Sequence, residues 1–367
     1  MLTGIKILDL SRVLAGPLCT MMLGDMGAWV LKVERPDGGD ETRGWGPPFD
    51  RNGESAYYLS VNRNKLSLAA DLGLDEDVAL IRRLAVEADV VVENFRPGVL
   101  ERRGLGVDAI RAANPSLIWC TISGFGAGSA RPGYDFVVQA ECGWMSITGE
   151  AGGGPMKHGI ALADVVAGKD AAIAILAALV ARARTGTGRT VEISLARSAE
   201  AALLNVAQNA LVSGTAPARW GNAHANLVPY QLFDAADRAM VIAVGSDAQW
   251  RACVAALGLE ALHADVTLRT NAGRLADRER VVGEIAARVR TRPTREWLEL
   301  LARAGVPAGV VRTVLEVLAS VDGSVLTGMP PSVPGSVHRP PPRLGEHSAL
   351  ARTAGWRGFA DDDRERG

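Results

Sequence analysis

Short apolar runs rich in β-branched residues alternate with segments of helical periodicity in the first half of the chain. The runs predict strands, at residues 5–10, 29–34, 89–94 and 117–123. The segments between them predict helices, at residues 16–26, 78–87 and 107–113. Apolar strands separated by helices are typical of a parallel sheet covered on both faces. The alternation therefore predicts an α/β fold with a doubly wound, Rossmann-like large domain.

The rest of the chain predicts a smaller α/β unit and an extended tail. An alanine-rich helix over 164–184 and a strand over 190–195 complete the large domain. A strand over 240–244 and amphipathic helices belong to the smaller unit, and prolines dominate 330–342. We expect a large domain, a linker, a small α/β domain and a C-terminal arm, over residues 1–200, 201–225, 226–315 and 316–367.

The composition argues against several classes of protein. The net charge is −1 and 48% of the residues are hydrophobic, which does not indicate a nucleic-acid binder. The longest apolar stretch, residues 171–181, is too short to span a membrane, and the N-terminus does not resemble a signal peptide. We therefore expect a cytoplasmic protein that binds neither membrane nor nucleic acid. The four cysteines are scattered and the histidines lack ligand spacing, so we expect no metal.

Asp164 lies where a strand-like run ends and the long apolar helix begins. This position predicts an N-cap, where the carboxylate accepts hydrogen bonds from the first turn of the helix. The same position holds an ionised carboxylate beside the positive end of the helix dipole, close to backbone donors that stabilise an oxyanion. Such a carboxylate can attack an acyl group. From the residues alone, both interpretations stay open.

Two basic groups come next to predicted strand ends. Arg63 and Lys65 form one, and the other contains Arg96, Arg102 and Arg103. Taken singly, each group is typical of a solvated surface. Taken together, they suit a ligand that carries several phosphates.

The first predicted strand is followed by a turn that contains Arg12 and Gly16. This turn should lie at the carboxyl end of the sheet, where open α/β folds bind ligands. It has no G-x-G-x-x-G pattern, so it does not indicate a dinucleotide site.

Eleven short motifs, in this order, resemble those of the class III CoA-transferase family, also called the CaiB/BaiF family. They are LSRVLAGP at 10–17, LKVERP at 31–36, NRNK at 62–65, VENFRPG at 92–98, ISGFG at 122–126, PGYD at 132–135, LAD at 162–164, TGTG at 185–188, GNAH at 221–224, VPYQ at 228–231 and GVPAG at 305–309. Each motif is weak alone. The resemblance extends over nearly the whole chain and is strongest to the succinyl- and glutaryl-linked branch.

The resemblance implies an interlocked homodimer in which both termini belong to the large domain. It implies that coenzyme A (CoA) lies along that domain and that Asp164 is the catalytic aspartate. By position in the motifs, the candidate CoA-binding residues are Arg12, Val13, Ala15, Lys65, Asn94, Phe95, Arg96, Arg102 and Tyr134.

The activity implied is transfer of CoA between an acyl-CoA and a carboxylic acid, with a small dicarboxylate expected. The reaction passes through a mixed anhydride and an aspartyl-CoA thioester on Asp164. We expect the backbone N–H groups after Asp164 to stabilise the developing charge. No metal or ATP is required.

Three departures from the family pattern bear on the substrate and on CoA binding. Leu14 replaces the glutamine of the formyl-CoA transferase branch, and GNAH at 221–224 replaces that branch's glycine-rich flap, which argues against oxalate and formate. Leu66 stands where relatives often carry arginine.

Two alternatives stay open within this resemblance. An α-methylacyl-CoA racemase would need a second proton carrier, and this chain has Tyr134 where the racemases have histidine. A catalytically inert CoA-binding protein is the other alternative.

Overall fold

The computed structural model describes residues 1–126 and 128–359. The chain forms two compact units. The first contains Met1–Met145, Lys157–Thr215 and the segment from Val321 onward. The second contains Ser146–Met156 and Ala216–Ser320. The candidate site residues named above all belong to the first unit.

A parallel six-stranded sheet forms the centre of the first unit. Its strands are β1 (Lys6–Asp9), β2 (Trp29–Glu34), β3 (Lys65–Ala69), β4 (Val90–Glu93), β5 (Ile118–Ser123) and β6 (Thr190–Ser194). They lie in the order β3-β2-β1-β4-β5-β6. This order reverses between β1 and β4, which makes the sheet doubly wound. The predicted α/β class with a parallel sheet is confirmed.

Strand β3 is an element that the sequence analysis missed. Its first residue, Lys65, was interpreted as part of a surface basic group, yet its side chain is buried with those of Leu66, Ser67 and Leu68. A lysine and a serine break the continuous apolar run that marked the other strands. The buried ammonium group is tolerated because acidic and carbonyl groups surround it.

Helices cover both faces of the sheet. Those in the chain up to residue 213 are α1 (Ala15–Asp25), α2 (Ala56–Leu59), α3 (Asp75–Glu87), α4 (Val107–Ala113), α5 (Asp135–Glu141), α6 (Trp144–Ile147), α7 (Leu162–Thr185), α8 (Leu195–Ala201) and α9 (Leu204–Ser213). Successive strand residues point to opposite faces, so Val90 and Val92 join one apolar cluster with α1, α7 and α8. Val91 joins another with α3 and α4.

Helices α1 and α7 pack closely on the first face of the sheet. A Cβ added at Gly168 of α7 would lie 2.6 Å from the carbonyl oxygen of Ala15 in α1. Glycine therefore lets the two helices approach until backbone nearly meets backbone. This contact places the start of α7 beside the turn that follows β1.

The C-terminal segment of the first unit packs on the second face. Trp356 and Phe359 belong to the cluster that contains Leu84 of α3, and Trp356 Nε1 donates to the Leu84 carbonyl at 3.0 Å. The segment forms one further helix, Ser348–Ala354.

The second unit has an antiparallel sheet of three strands, β7 (Tyr230–Asp234), β8 (Ala239–Ala243) and β9 (Ala308–Val310). Its helices are α10 (Asp247–Leu257), α11 (Glu260–Ala264), α12 (Asn271–Ala276), α13 (Arg278–Val289), α14 (Thr294–Arg303) and α15 (Val314–Leu318). Trp250 and Trp297 are buried at its core. In the part of the chain that the structure describes, no helix combines the length and apolarity needed to cross a bilayer.

Candidate active site

The turn after β1 is held in an uncommon backbone conformation. Val13 has φ +71°, a left-handed value that β-branched residues rarely adopt. The backbone amide of Val13 donates to both carboxylate oxygens of Asp40, at 3.2 and 3.3 Å. The preceding residue, Arg12, is fixed by the Asn94 side chain, which accepts from the Arg12 amide at 3.0 Å and donates to its carbonyl at 2.8 Å. The ends of β1 and β4 are thus locked together where the strand order reverses.

A buried ion pair between Lys32 and Asp40 stabilises this turn. Lys32 Nζ lies 2.9 Å from the Asp40 carboxylate and donates to the Ser11 carbonyl at 2.8 Å. Burial raises the pKa of Asp40, but the Lys32 charge and the hydrogen bonds from Thr42 outweigh it, so the net shift is downward. Asp40 therefore stays ionised and holds the Val13 amide.

Asp164 is the third residue of α7, which begins at Leu162. The prediction that Asp164 is the N-cap is therefore wrong. Asp135, the first residue of α5, caps the helix instead: its Oδ1 accepts from the amides of Ala163 at 2.7 Å and Asp164 at 3.4 Å. Sequence spacing cannot reveal this contact, because 29 positions separate Asp135 from Asp164. The Asp164 side chain is thereby released from capping.

The expectation that backbone amides after Asp164 stabilise the developing charge is not supported at the next residue. The Val165 amide already donates to the Ala161 carbonyl at 3.1 Å, as part of the helix.

The charges of two carboxylates influence the pKa values of Asp164 and of a phenol, Tyr57. Burial, and secondarily the charge of Asp135, raises the pKa of Asp164 to about 7. Burial followed by the charges of Asp164 and Asp135 raises the pKa of Tyr57 to about 12. Tyr57 also packs edge-on against Trp45, with ring centroids 5.2 Å apart. Tyr57 carries no spacing signal in the sequence, because it is a tyrosine in a short loop helix.

One cavity, called cavity A, brings Asp164 together with most of the candidate residues. These are Arg12, Val13, Ala15, Asn94, Phe95, Arg96 and Tyr134. They come from the turn after β1, the loop after β4 and the segment before α5. The carboxyl ends of parallel strands meet at one edge of the sheet, which explains why distant motifs converge here.

A second cavity, called cavity B, adjoins the first. It shares Arg12 and Phe95 with cavity A, and the Arg12 guanidinium lies over the Phe95 ring at 5.3 Å. The rest of its lining is mainly aliphatic, with Arg35 and Asp71 among the polar residues. The two cavities therefore meet at Arg12 and Phe95, with a cation at their boundary.

Lys65 and Arg102 line neither cavity. The Lys65 side chain is only 1% exposed, and its Nζ lies 2.9 to 3.0 Å from Asp9, the Pro17 carbonyl and Asn62. Burial lowers the pKa of Lys65 to about 8, against the opposing effect of Asp9. An ammonium enclosed in this way has no free face for a phosphate, so we assign Lys65 a structural role. Arg102 is exposed on the loop after β4.

Comparison with known proteins places these features in a family. The model of CoA-transferase family III matches residues 2–348. The chain is 41% identical to the succinate–glutarate CoA-transferase of Agrobacterium fabrum, over 95% of this chain and 94% of the relative. It is also 41% identical to the human succinyl-CoA:glutarate CoA-transferase, over 95% of this chain and 84% of the relative.

Solved structures show the same likeness. A CaiB/BaiF family protein from Brucella suis superposes with a TM-score of 0.85 at 40% identity, covering 96% of this chain and 98% of that one. The Mycobacterium tuberculosis protein Rv3272 superposes with a TM-score of 0.83 at 29% identity, covering 95% and 98%. The family model and these relatives show that this chain belongs to CoA-transferase family III.

Proposed function

We propose that this protein transfers CoA between an acyl-CoA and a carboxylic acid, that one of its substrates is a dicarboxylic acid of four or five carbons, and that Asp164 is the nucleophile. The observation that carries the proposal is the position of Asp164 on the wall of cavity A, which the turn and the loop matched to CoA contacts also line. The dicarboxylate follows from the names of the relatives, which act on succinate and glutarate.

In the proposed binding mode, the acyl-CoA substrate extends across both cavities. Its thioester lies in cavity A beside Asp164, and its nucleotide end lies in the mainly apolar cavity B. Arg12 lines both cavities, so its guanidinium suits the phosphates between these ends. Arg12 pairs with Glu41, and both side chains are partly exposed. Phosphates can displace Glu41 from Arg12, because partly exposed ion pairs contribute little to the stability of a protein.

The chemistry begins when a carboxylate oxygen of Asp164 attacks the thioester carbonyl and expels the CoA thiolate, which leaves a mixed anhydride. The thiolate then attacks the Asp164 carbonyl carbon, releases the donor carboxylate and forms an aspartyl-CoA thioester. The acceptor carboxylate attacks the same aspartyl carbonyl and frees the thiolate again. A final attack of the thiolate on the acceptor's acyl group yields the new acyl-CoA and restores Asp164.

The electrostatics of Asp164 suit a nucleophile near neutral pH. Its pKa of about 7 leaves a large ionised fraction, and burial makes that charge less solvated than in water. Tyr57 keeps its proton at this pH, so its O–H is available as a donor beside the carboxylates. The isomerase alternative finds less support, because both Asp135 oxygens already accept hydrogen bonds, from Ala163 and Gln139.

The proposal also includes a homodimer. Helix α9 carries Leu204, Leu211 and Val212, each more than 70% exposed, and none of its residues is buried within the chain. A run of large apolar side chains on one helix favours burial against a second copy. We propose that this copy interlocks with the first, as the family resemblance implies.

The test is detection of the acyl intermediate. The protein is incubated with succinyl-CoA and glutarate, quenched with hydroxylamine or borohydride, digested and analysed by mass spectrometry. We expect a modification of Asp164 and formation of glutaryl-CoA, both absent in Asp164→Asn, which keeps CoA affinity. Full turnover by Asp164→Asn would refute the proposal. CoA binding without any adduct or product would favour an inert binder, and exchange of the α-proton without transfer would favour an isomerase.

A further inference from the structure

Three guanidinium groups line cavity A, those of Arg12, Arg96 and Arg131. Arg12 also lines cavity B, and Arg96 directly follows Phe95, which lines both cavities. Arg12 therefore lies where the two cavities meet, and Arg96 lines cavity A beside it in the loop after β4. Arg131 belongs to a different segment, between β5 and α5, and lines cavity A without lining cavity B.

The backbone around Arg131 is tied to the strand on one side. Gly133 crosses Gly124, at the end of β5, so closely that a Cβ on Gly133 would lie 2.3 Å from the Gly124 Cα. A Cβ on Gly124 would lie 2.5 Å from the Gly133 Cα, so neither position tolerates a side chain without movement. The close crossing fixes the position of the segment relative to the end of β5.

The same segment also contacts the helix that carries Asp164. Asp135, four residues after Arg131, accepts the Ala163 amide at the start of α7. Both tethered residues, Gly133 and Asp135, therefore follow Arg131 closely in the chain, one held at the end of β5 and the other at the start of α7.

The Arg131 side chain is oriented but weakly paired. Its guanidinium lies 4.1 Å from the centre of the Phe125 ring, which holds its plane. Its Nη2 lies 2.6 Å from Glu141 Oε1, and the two side chains are 57% and 45% exposed. An ion pair this exposed contributes little to the stability of the protein. A ligand carboxylate can therefore take the place of Glu141.

We propose that Arg131 binds the distal carboxylate of the dicarboxylic substrate while Asp164 engages the other carboxyl group, which makes Arg131 the residue that selects dicarboxylates. This rests on the function proposed above. A guanidinium fork matches a carboxylate with two parallel hydrogen bonds. A substrate without the second carboxylate forgoes that interaction and is transferred less efficiently.

The test compares two acceptors of equal chain length, glutarate and pentanoate, with the same acyl-CoA donor. The measured quantity is kcat/KM for glutarate divided by kcat/KM for pentanoate. This ratio cancels any effect of the substitution on the donor. In Arg131→Met we expect this ratio to fall about 100-fold, the loss expected for a charged hydrogen-bonded contact. The KM for the acyl-CoA should stay within about twofold, and Arg131→Lys should recover part of the ratio.

Two further variants serve as controls. Arg96→Met should lower kcat/KM for both acceptors equally, because the family resemblance assigns Arg96 to CoA, which is common to both reactions. Glu141→Gln should lower the KM for glutarate and leave that for pentanoate unchanged, because it removes the carboxylate that competes for Arg131.

An unchanged ratio in Arg131→Met, with circular dichroism showing a folded protein, would overturn this inference alone. It would mean that Arg131 contacts CoA or only supports its segment. If the wild-type protein transfers CoA to no dicarboxylate at all, the proposed function fails and this inference fails with it.

Discussion

Oδ1 of Asp135 lies 3.4 Å from the backbone amide of Asp164, so one carboxylate caps the helix from which the other projects. The position of Asp135 has two effects. It satisfies the first turn of α7 without using the Asp164 side chain. It also brings a second negative charge near Asp164, which adds to the effect of burial on its pKa.

Asp135→Asn should extend activity to lower pH. Removing the Asp135 charge lowers the pKa of Asp164 from about 7, though burial, the larger cause, remains. A carboxylate attacks only when ionised, so the acid limb of the pH profile of kcat should move to lower pH. The Asn carbonyl can still accept the Ala163 amide, which keeps the helix start in place. An acid limb at the wild-type position would show that the Asp135 charge does not reach Asp164.

Asp164→Asn should make the protein more stable at pH 8 than the wild type, by roughly 4 kcal/mol, because each pKa unit corresponds to about 1.4 kcal/mol. In the folded protein Asp164 keeps its proton up to pH about 7, whereas in the unfolded chain it loses it near 3.8. The folded state therefore binds more protons between these values, so wild-type stability falls as pH rises through this window and is level above it. Urea unfolding at pH 4 and pH 8 measures the difference between the two proteins. The advantage of the variant should nearly vanish at pH 4; an equal advantage at both values would contradict the raised pKa.

Lys65→Met should destabilise the protein by about 3–5 kcal/mol, because it leaves the buried Asp9 carboxylate without its ion-pair partner. Burial raises the pKa of Asp9, but Lys65 and then Lys32 bring it down to about 2, so the carboxylate is charged throughout the working range. The double variant with Asp9→Asn should recover part of the lost stability. Isothermal titration with CoA is the matched measurement, and the affinity of the folded variant should change little. A large loss of CoA affinity in a variant as stable as the wild type would show that Lys65 binds CoA, as the sequence motif suggested.

The α/β class was readable from the sequence because strands and helices in a parallel sheet differ in period and composition. β4 is a run of three valines, and α7 is rich in alanine, so local pattern marked both. β3 was missed because Lys65 and Ser67 look polar, and only the acidic groups gathered around them explain their burial. Local pattern cannot show which distant residues neutralise a buried charge.

The sequence by itself determined the α/β class, the family and the identity of Asp164 as the candidate nucleophile. Those conclusions depend on periodicity and motif order, which are properties of neighbours along the chain. Only the tertiary structure decided that Asp135 caps α7, that Tyr57 lies near both carboxylates and that Arg131, rather than Lys65, faces the cavity. The capping bond, the raised pKa and the cavity wall each arise between residues far apart in sequence. Their energies depend on distance and burial, which the fold sets.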